Sequence, residues 1–148
     1  MSTSIHFFSE GIKFKLPQSR KTSTWIKGVI SNENKILSRL NYVFCSDEYL
    51  RSINIQYLNH TTYTDVVTFD HSEIDDFIEG DIFISIDRVY ENALKFNRPF
   101  QEELHRVIIH GVLHLIGYSD KGERNKALMR KKEEACLSLP TVPRETFV

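Results

Sequence analysis

Residues 110–120 read HGVLHLIGYSD, and they continue an apolar run that begins at Val107. Two helix signals bracket this run. Proline is favoured at the start of a helix, and glycine is favoured just after its end, where it adopts a left-handed conformation. Pro99 and Gly117 therefore predict one helix from Phe100 to about Ile116. Because apolar residues occupy most of its surface, the helix is expected to lie inside the protein.

The two histidines of this stretch, His110 and His114, are one helical turn apart. Residues four apart share a helix face, so both imidazoles can reach one metal ion. Asp120 follows Gly117 by three residues, and a turn at this glycine can bring its carboxylate back as a third ligand. Three protein ligands with one open position are typical of a catalytic zinc site. We therefore expect one Zn²⁺ at His110, His114 and Asp120, where it would activate a water molecule.

Two other interpretations of the histidine helix remain open. The histidines could be core residues with satisfied ring nitrogens, although an unpaired buried imidazole is costly. Their spacing also overlaps that of zinc peptidases, which carry a glutamate general base directly after the first histidine. Gly111 stands at that position and cannot take a proton. A zinc-dependent peptidase-like hydrolase is therefore the less favoured alternative. His105, about 140° around the helix from His110, is expected at the surface or behind the ligand face.

The rest of the chain intermixes strand and helix patterns. Apolar residues at helical spacing from Trp25 to Ile30 predict the first helix, and alternation from Asp81 to Ile86 predicts a strand. We therefore predict an α+β fold, a single domain with a small mixed β-sheet covered by helices. The more local predictions are an edge hairpin or bent strand from Ile5 to Leu16, a short strand from Tyr42 to Cys45, a buried Tyr57 and a helix capped by Asp87.

The composition favours a cytoplasmic protein that does not bind membranes. Its 148 residues carry 19 Lys and Arg against 20 Asp and Glu, so nucleic-acid binding would need a local basic patch. No signal peptide is recognisable, and no apolar run approaches the length of about 20 residues that spans a bilayer. Cys45 and Cys136 are too few for a disulfide scaffold and are expected to be buried free thiols.

Four motifs together resemble the YbeY family, rRNA maturation factors described as metal-dependent endoribonucleases specific for single strands. Residues 110–120 are similar to the family pattern H-G-x-L-H-L-x-G-Y-x-H. INIQY at residues 53–57 and TDVVTF at residues 64–69 are similar, without a gap, to L-N-x-x-Y-R-x-x-D-x-x-T-D-V-L-S-F. Gly80-Asp81-Ile82 matches a G-D-I strand start, and Met129 with Glu133 matches a late M-x-x-x-E. The resemblance covers about residues 40–137.

The resemblance implies that His110 and His114 are zinc ligands and that Asp120 replaces a third histidine. A carboxylate is a competent but harder ligand, which should favour oxygen-loving metals comparatively more. Leu58 replaces the family arginine and Thr61 its aspartate, so either another cation contacts the phosphate or catalysis is weaker or differently arranged. The candidate substrate contacts are Arg51, His60, Arg106, Lys121 and Arg124, with Arg98 as a further cation and Asp65 placed beside the site by resemblance alone.

We therefore predict a metal-dependent endoribonuclease in residues 1–137, followed by an irregular tail in residues 138–148. The resemblance implies single-stranded or ribosomal RNA and the small ribosomal subunit as partners, in rRNA maturation and ribosome quality control. A non-catalytic ribosome-associated factor with a structural metal is the alternative that Leu58 leaves open. A metal-free packing domain is the last alternative.

Overall fold

The computed structural model describes residues 4–59 and 64–144, and within them strands and helices follow an irregular order. The strands are β1 (Ser4–Glu10), β2 (Ile36–Cys45), β3 (Val66–Asp70) and β4 (Phe77–Ser85). The helices are α1 (Ser19–Asn32), α2 (Asp47–Leu58), α3 (Ile86–Lys95), α4 (Phe100–Ile116) and α5 (Glu123–Leu137).

The strands form one mixed sheet in the order β1-β2-β4-β3. β1 pairs in parallel with β2, and β2 with β4, whereas β3 is antiparallel to β4. Parallel neighbours need a crossover connection, which α1 provides between β1 and β2. The short segment between β3 and β4 allows only the antiparallel arrangement. The predicted α+β fold with one small mixed sheet is confirmed.

The two faces of the sheet carry cores of different size. Alternate residues of β2 and β4, such as Tyr42 and Ile82, point into a main core shared with α1, α4 and α5. Two buried hydrogen bonds connect this core, from the Tyr42 hydroxyl to Ile108 O and from Trp25 Nε1 to Cys136 O. On the other face, α2 covers a smaller cluster around Cys45 and Val67. The helix with the two histidines therefore lies in the main core.

Glycine allows α4 to pack closely against β4. A Cβ atom added at Gly111 would lie 2.7 Å from Cγ2 of the fully buried Ile82. On the strand side, a Cβ at Gly80 would clash with the backbone oxygen of Phe69 on β3 and would lie 3.1 Å from Cδ1 of Leu115. Gly111 therefore sets how closely the histidine helix approaches the sheet, whereas Gly80 is required first by the neighbouring strand.

The limits of α4 agree with the prediction, since the helix runs from Phe100 to Ile116 between Pro99 and Gly117, whose φ is 128°. The hairpin from Ile5 to Leu16 is wrong, because β1 ends at Glu10 and pairs with the distant β2 at the sheet edge. β2 extends beyond the predicted strand Tyr42–Cys45 and begins at Ile36. Its first half includes polar residues that hide the strand pattern.

Two side-chain predictions near α2 and α3 are also wrong. Ser85, and not Asp87, caps α3, because its hydroxyl accepts a hydrogen bond from the backbone N–H of Arg88. Asp87 instead accepts one from the backbone N–H of Asp47, at the start of α2. Tyr57 is 61% exposed, with its ring edge-on to Phe69.

Within the described residues, each helix is too short or too polar to cross a bilayer. Cys45 and Cys136 are both free and buried, as predicted.

Candidate metal centre

The last turn of α4 and the loop after it bring three potential metal ligands together. His110 and His114 lie on one face, with ring centroids 4.7 Å apart and the rings nearly perpendicular. Asp120 Oδ2 is 3.2 Å from His114 Nε2 and 3.6 Å from His110 Nε2. One nitrogen or oxygen from each residue lies within 4.8 Å of the others. The spacing predicted from the sequence therefore places all three residues at one point.

These distances fit a small divalent ion. Ligand atoms 2.0–2.1 Å from a tetrahedral ion are about 3.3 Å from one another. The two distances from Asp120 Oδ2 bracket this value. Among residues 4–59 and 64–144, the three form the one group of His, Cys, Asp and Glu with such geometry. The three residues could therefore hold a metal ion.

The loop that carries Asp120 is held by two sets of interactions. Gly117 ends α4 in a conformation that favours glycine, and the N–H of Tyr118 donates to Leu113 O. The Tyr118 hydroxyl then donates to Glu33 Oε1 at 2.6 Å, just after the end of α1. Lys132 on α5 donates to the other oxygen of Glu33 at 3.0 Å. The loop is thus fixed between α1 and α5.

A carboxylate also lies behind His110. Glu133 Oε2 on α5 is 2.7 Å from His110 Nδ1, and the Glu133 side chain is only 8% exposed. Arg106, one turn before His110, has Nη1 3.5 Å from Glu133 Oε1 and Nη2 2.6 Å from Glu134 Oε1. The sequence motif with Met129 had marked Glu133 without giving it a role. A better signal was the spacing of Met129, Glu133 and Cys136, which places Glu133 on the buried face of α5.

The carboxylates make the site attractive to a cation. Burial disfavours the charged form of His110, but the hydrogen bond and charge of Glu133, helped by Asp65 and Asp120, raise its pKa. Burial opposes ionisation of Asp120, yet the neighbouring His114 and His110 lower its pKa. Asp65 shows the opposite result, because burial raises its pKa more than the charge of His110 lowers it. The interaction with His110 places Asp65 near the site.

The structure separates the candidate substrate contacts into three groups. Lys121 and Arg124 are exposed beside the Asp120 loop, and within the described chain neither is ion-paired with a carboxylate. Arg106 is bound to Glu133 and Glu134, and Arg98 is bound to Glu103 at 3.0 Å. Arg51 is partly buried on α2, whereas His60 and Thr61 lie outside the described residues.

Two further residues of α4 are fixed by their neighbours. His105 is only 5% exposed and packs edge-on against Trp25, so the expectation of a surface position is wrong. Burial lowers the pKa of His105 to about 4, which keeps it neutral near pH 7. At Gly111, Ile82 occupies the space that the glutamate of a zinc peptidase would need. Leu58, at the end of α2, is 40% exposed.

The chain is similar to known proteins over most of its length. A family model described as Endoribonuclease YbeY matches residues 7–139. The endoribonuclease YbeY of Cytophaga hutchinsonii is 50% identical over 91% of this chain and 94% of its own length. That of Karelsulcia muelleri is 53% identical over 90% of this chain and 93% of its own length. The solution structure of a Thermotoga maritima protein, TM1509, is 27% identical with a TM-score of 0.61, covering 96% of this chain and 97% of that one.

Proposed function

The chain belongs to the endoribonuclease YbeY family, and on this premise we propose that it is a metal-dependent endoribonuclease that cleaves single-stranded RNA in ribosomal RNA processing. The observation that carries the metal dependence is the convergence of His110, His114 and Asp120 on one point. We further propose that the protein acts in ribosome quality control in the cytoplasm, with the small ribosomal subunit as its partner. Membership of the family is the only support for this part of the proposal.

In this proposal His110, His114 and Asp120 hold one Zn²⁺ through two imidazole nitrogens and one carboxylate oxygen. When bound, Zn²⁺ would lower the pKa of a coordinated water to about 7 and would polarise a phosphoryl oxygen. Asp120 adds a negative charge where a family histidine would be neutral, so the site is a weaker electrophile and takes Mn²⁺ comparatively better. The three residues are thus catalytic through the ion they hold.

The phosphate backbone needs cations, since Leu58 stands in place of the family arginine. Lys121 directly follows Asp120, and Arg124 lies one helical turn further along at the start of α5. Both are exposed, whereas Arg106 and Arg98 are ion-paired with carboxylates. We therefore assign phosphate contact to Lys121 and Arg124, with Arg51 and His60 as further candidates. Contacts to the backbone would not distinguish one base sequence from another.

The first experiment is cleavage of an end-labelled single-stranded RNA by the zinc-loaded protein. A His114→Ala variant, purified identically, controls for contaminating ribonuclease. The expected result is cleavage by the native protein and a loss of more than about 100-fold in the variant, because the ion is held by two ligands instead of three. The same RNA annealed to its complement should resist cleavage. Equal activity of the two proteins would contradict the proposal.

The phosphate contacts can be tested through salt dependence. RNA binding is measured in the His114→Ala background, so that the substrate stays intact, with and without Lys121→Gln and Arg124→Gln. Each lost phosphate contact on a single strand changes the slope of log K against log salt concentration by about 0.7. The double substitution should therefore reduce the slope by about 1.4. Lys27→Gln with Lys95→Gln removes the same charge from α1 and α3, and an equal effect there would contradict the assignment.

Leu58 supports a second candidate, a ribosome-associated factor in which the metal is structural. Leucine can neither clamp a phosphate nor stabilise a developing negative charge. For this candidate, the native protein should bind ribosomal particles but should show no RNA cleavage that depends on the metal. A peptidase-like function lacks a base at Gly111, and failure to cleave an unfolded protein would exclude it.

A further inference from the structure

The two ring nitrogens of His110 face different partners. Nε2 lies on the side of Asp120, at 3.6 Å from its Oδ2, whereas Nδ1 lies 2.7 Å from Glu133 Oε2. An imidazole binds a metal only through a nitrogen that carries no proton. The position of the ring proton therefore decides whether the nitrogen facing the site can act as a ligand. A carboxylate can only accept, so Glu133 requires the proton to be on Nδ1.

Glu133 is held in the orientation that this role needs. Its side chain is 8% exposed and lies on the buried face of α5, beside the main core. Arg106 contacts Glu133 through Oε1, which leaves Oε2 for His110. The second terminal nitrogen of Arg106 is bound to Glu134. Arg106 is thus held between two carboxylates of α5, and both of them are ion-paired with its guanidinium group.

We propose that Glu133 is a positioning residue that holds His110 as the Nδ1–H tautomer, with Nε2 directed towards His114 and Asp120, and that Arg106 keeps Glu133 in place. The inference rests on the metal site of the proposed function. Outer carboxylates of this kind orient ligand histidines, and their loss typically weakens metal binding 10- to 100-fold. Arg106 is accordingly part of the support of the site and not a contact to RNA.

The tautomer can be observed directly in the native, zinc-free protein. Long-range ¹H–¹⁵N correlation spectra are recorded on ¹⁵N-labelled protein, at a pH high enough for His110 to be neutral, with His110→Gln used to assign its signals. The expected result is a single tautomer with the proton on Nδ1. A proton on Nε2, or an average of the two forms, would overturn the inference. This measurement requires no folded Glu133 variant and no bound metal.

The effect on metal binding is measured by competition for Zn²⁺ with a chromophoric chelator. Glu133→Leu should bind zinc about 10- to 100-fold more weakly than the native protein. Glu133→Gln should keep more of the affinity, because its amide oxygen can still accept the Nδ1 proton. Glu102→Leu is the matched control, since Glu102 is exposed in the first turn of α4 and forms no ion pair within the described chain. Its zinc affinity should stay within about twofold of the native value.

Equal losses in Glu133→Leu and Glu102→Leu would overturn the inference, as would no loss in Glu133→Leu. If Glu133→Leu does not fold, the comparison of Glu133→Gln with Glu102→Leu and the tautomer of the native protein decide the matter. Failure of the proposed function has a different signature, because the native protein would then bind no zinc or cleave no RNA. A native protein that binds zinc and cleaves RNA while His110 carries its proton on Nε2 contradicts only the role of Glu133.

Discussion

The close packing of α4 on the sheet predicts that Gly111→Ala destabilises the protein. The new Cβ would lie 2.7 Å from Cγ2 and 3.2 Å from Cδ1 of Ile82, which is fully buried. Cγ2 is attached to the branched Cβ of isoleucine and cannot move away without leaving a favoured rotamer. Either the isoleucine or the whole helix must therefore shift.

The expected cost combines two effects of opposite sign. Overpacking a core by one methyl group costs about 1–3 kcal/mol. Alanine in place of glycine inside a helix returns about 0.5–1 kcal/mol. Because 2.7 Å is shorter than real Cβ contacts, the upper half of the overpacking range applies, about 2–3 kcal/mol. We therefore expect the free energy of unfolding to fall by about 1–2.5 kcal/mol, which lowers Tm by about 3–8 °C in a domain of this size.

Gly28→Ala is the matched control, because Gly28 lies inside α1 and an added Cβ would meet no atom within 4 Å. This variant should gain about 0.5–1 kcal/mol from helix propensity alone. Both variants are compared with the native protein by urea unfolding in a chelator, with the fluorescence of Trp25 as the signal. If Gly111→Ala is as stable as the native protein, or gains as much as Gly28→Ala, the glycine does not set the spacing of helix and sheet.

Three other changes have defined outcomes. Zinc at about 100 times its dissociation constant should raise the free energy of unfolding by about 2.7 kcal/mol, and a chelator should reverse this increase. If zinc raises the melting temperature of Asp120→Ala as much as that of the native protein, Asp120 is not a ligand. Burial lowers the pKa of His105 to about 4 in the folded state, against about 6.5 in the unfolded chain. Between these two pH values the unfolded state binds more protons than the folded state. The free energy of unfolding therefore falls by about 3 kcal/mol in all as the pH is lowered from 6.5 to 4. Urea unfolding from pH 7 to 4 should show this loss in the native protein relative to His105→Leu, and parallel pH profiles would refute it. Tyr118→Phe removes the hydrogen bond to Glu33 and should cost about 0.5–1.5 kcal/mol by urea unfolding, whereas unchanged stability would show that this bond does not hold the loop.

The sequence predicted α4 to the residue because Pro99 and Gly117 act locally, on the backbone of their own helix. The same is true of His110 and His114, whose four-residue spacing determines their common face. Local predictions failed where the true partner lies far along the chain. β1 pairs with β2 across a helix, and the Asp87 carboxylate accepts a hydrogen bond from the backbone N–H of Asp47 at the start of α2 instead of capping its own helix. Such partners depend on the sheet order, which local patterns do not specify.

The support behind the site was harder to predict than the ligands. Glu133 and Arg106 come from different helices, and their roles depend on how α5 packs against α4. The sequence shows the charge of Arg106, which made it a candidate substrate contact, but not its ion pairs with Glu133 and Glu134. Tyr57 was expected in the core from helical spacing alone, yet its side chain is 61% exposed at the end of α2. Burial depends on what lies opposite a residue, and only the assembled fold shows this.

The ligands of the candidate metal centre and Glu133 all lie between residues 110 and 133, whereas β1 finds its partner residues more than thirty positions away, as Ser4 does with Arg39. Closing a short loop costs less chain entropy than bringing two distant strands together, and contacts near in sequence form faster. Packing α5 against α4 therefore costs less chain entropy than assembling the sheet does. During synthesis from the N-terminus, however, this pair emerges after all four strands, so the parallel strands are already available when it forms. The slowly forming, long-range pairing of the parallel strands can thus begin before the fast, local packing of α4 and α5, which carry the site.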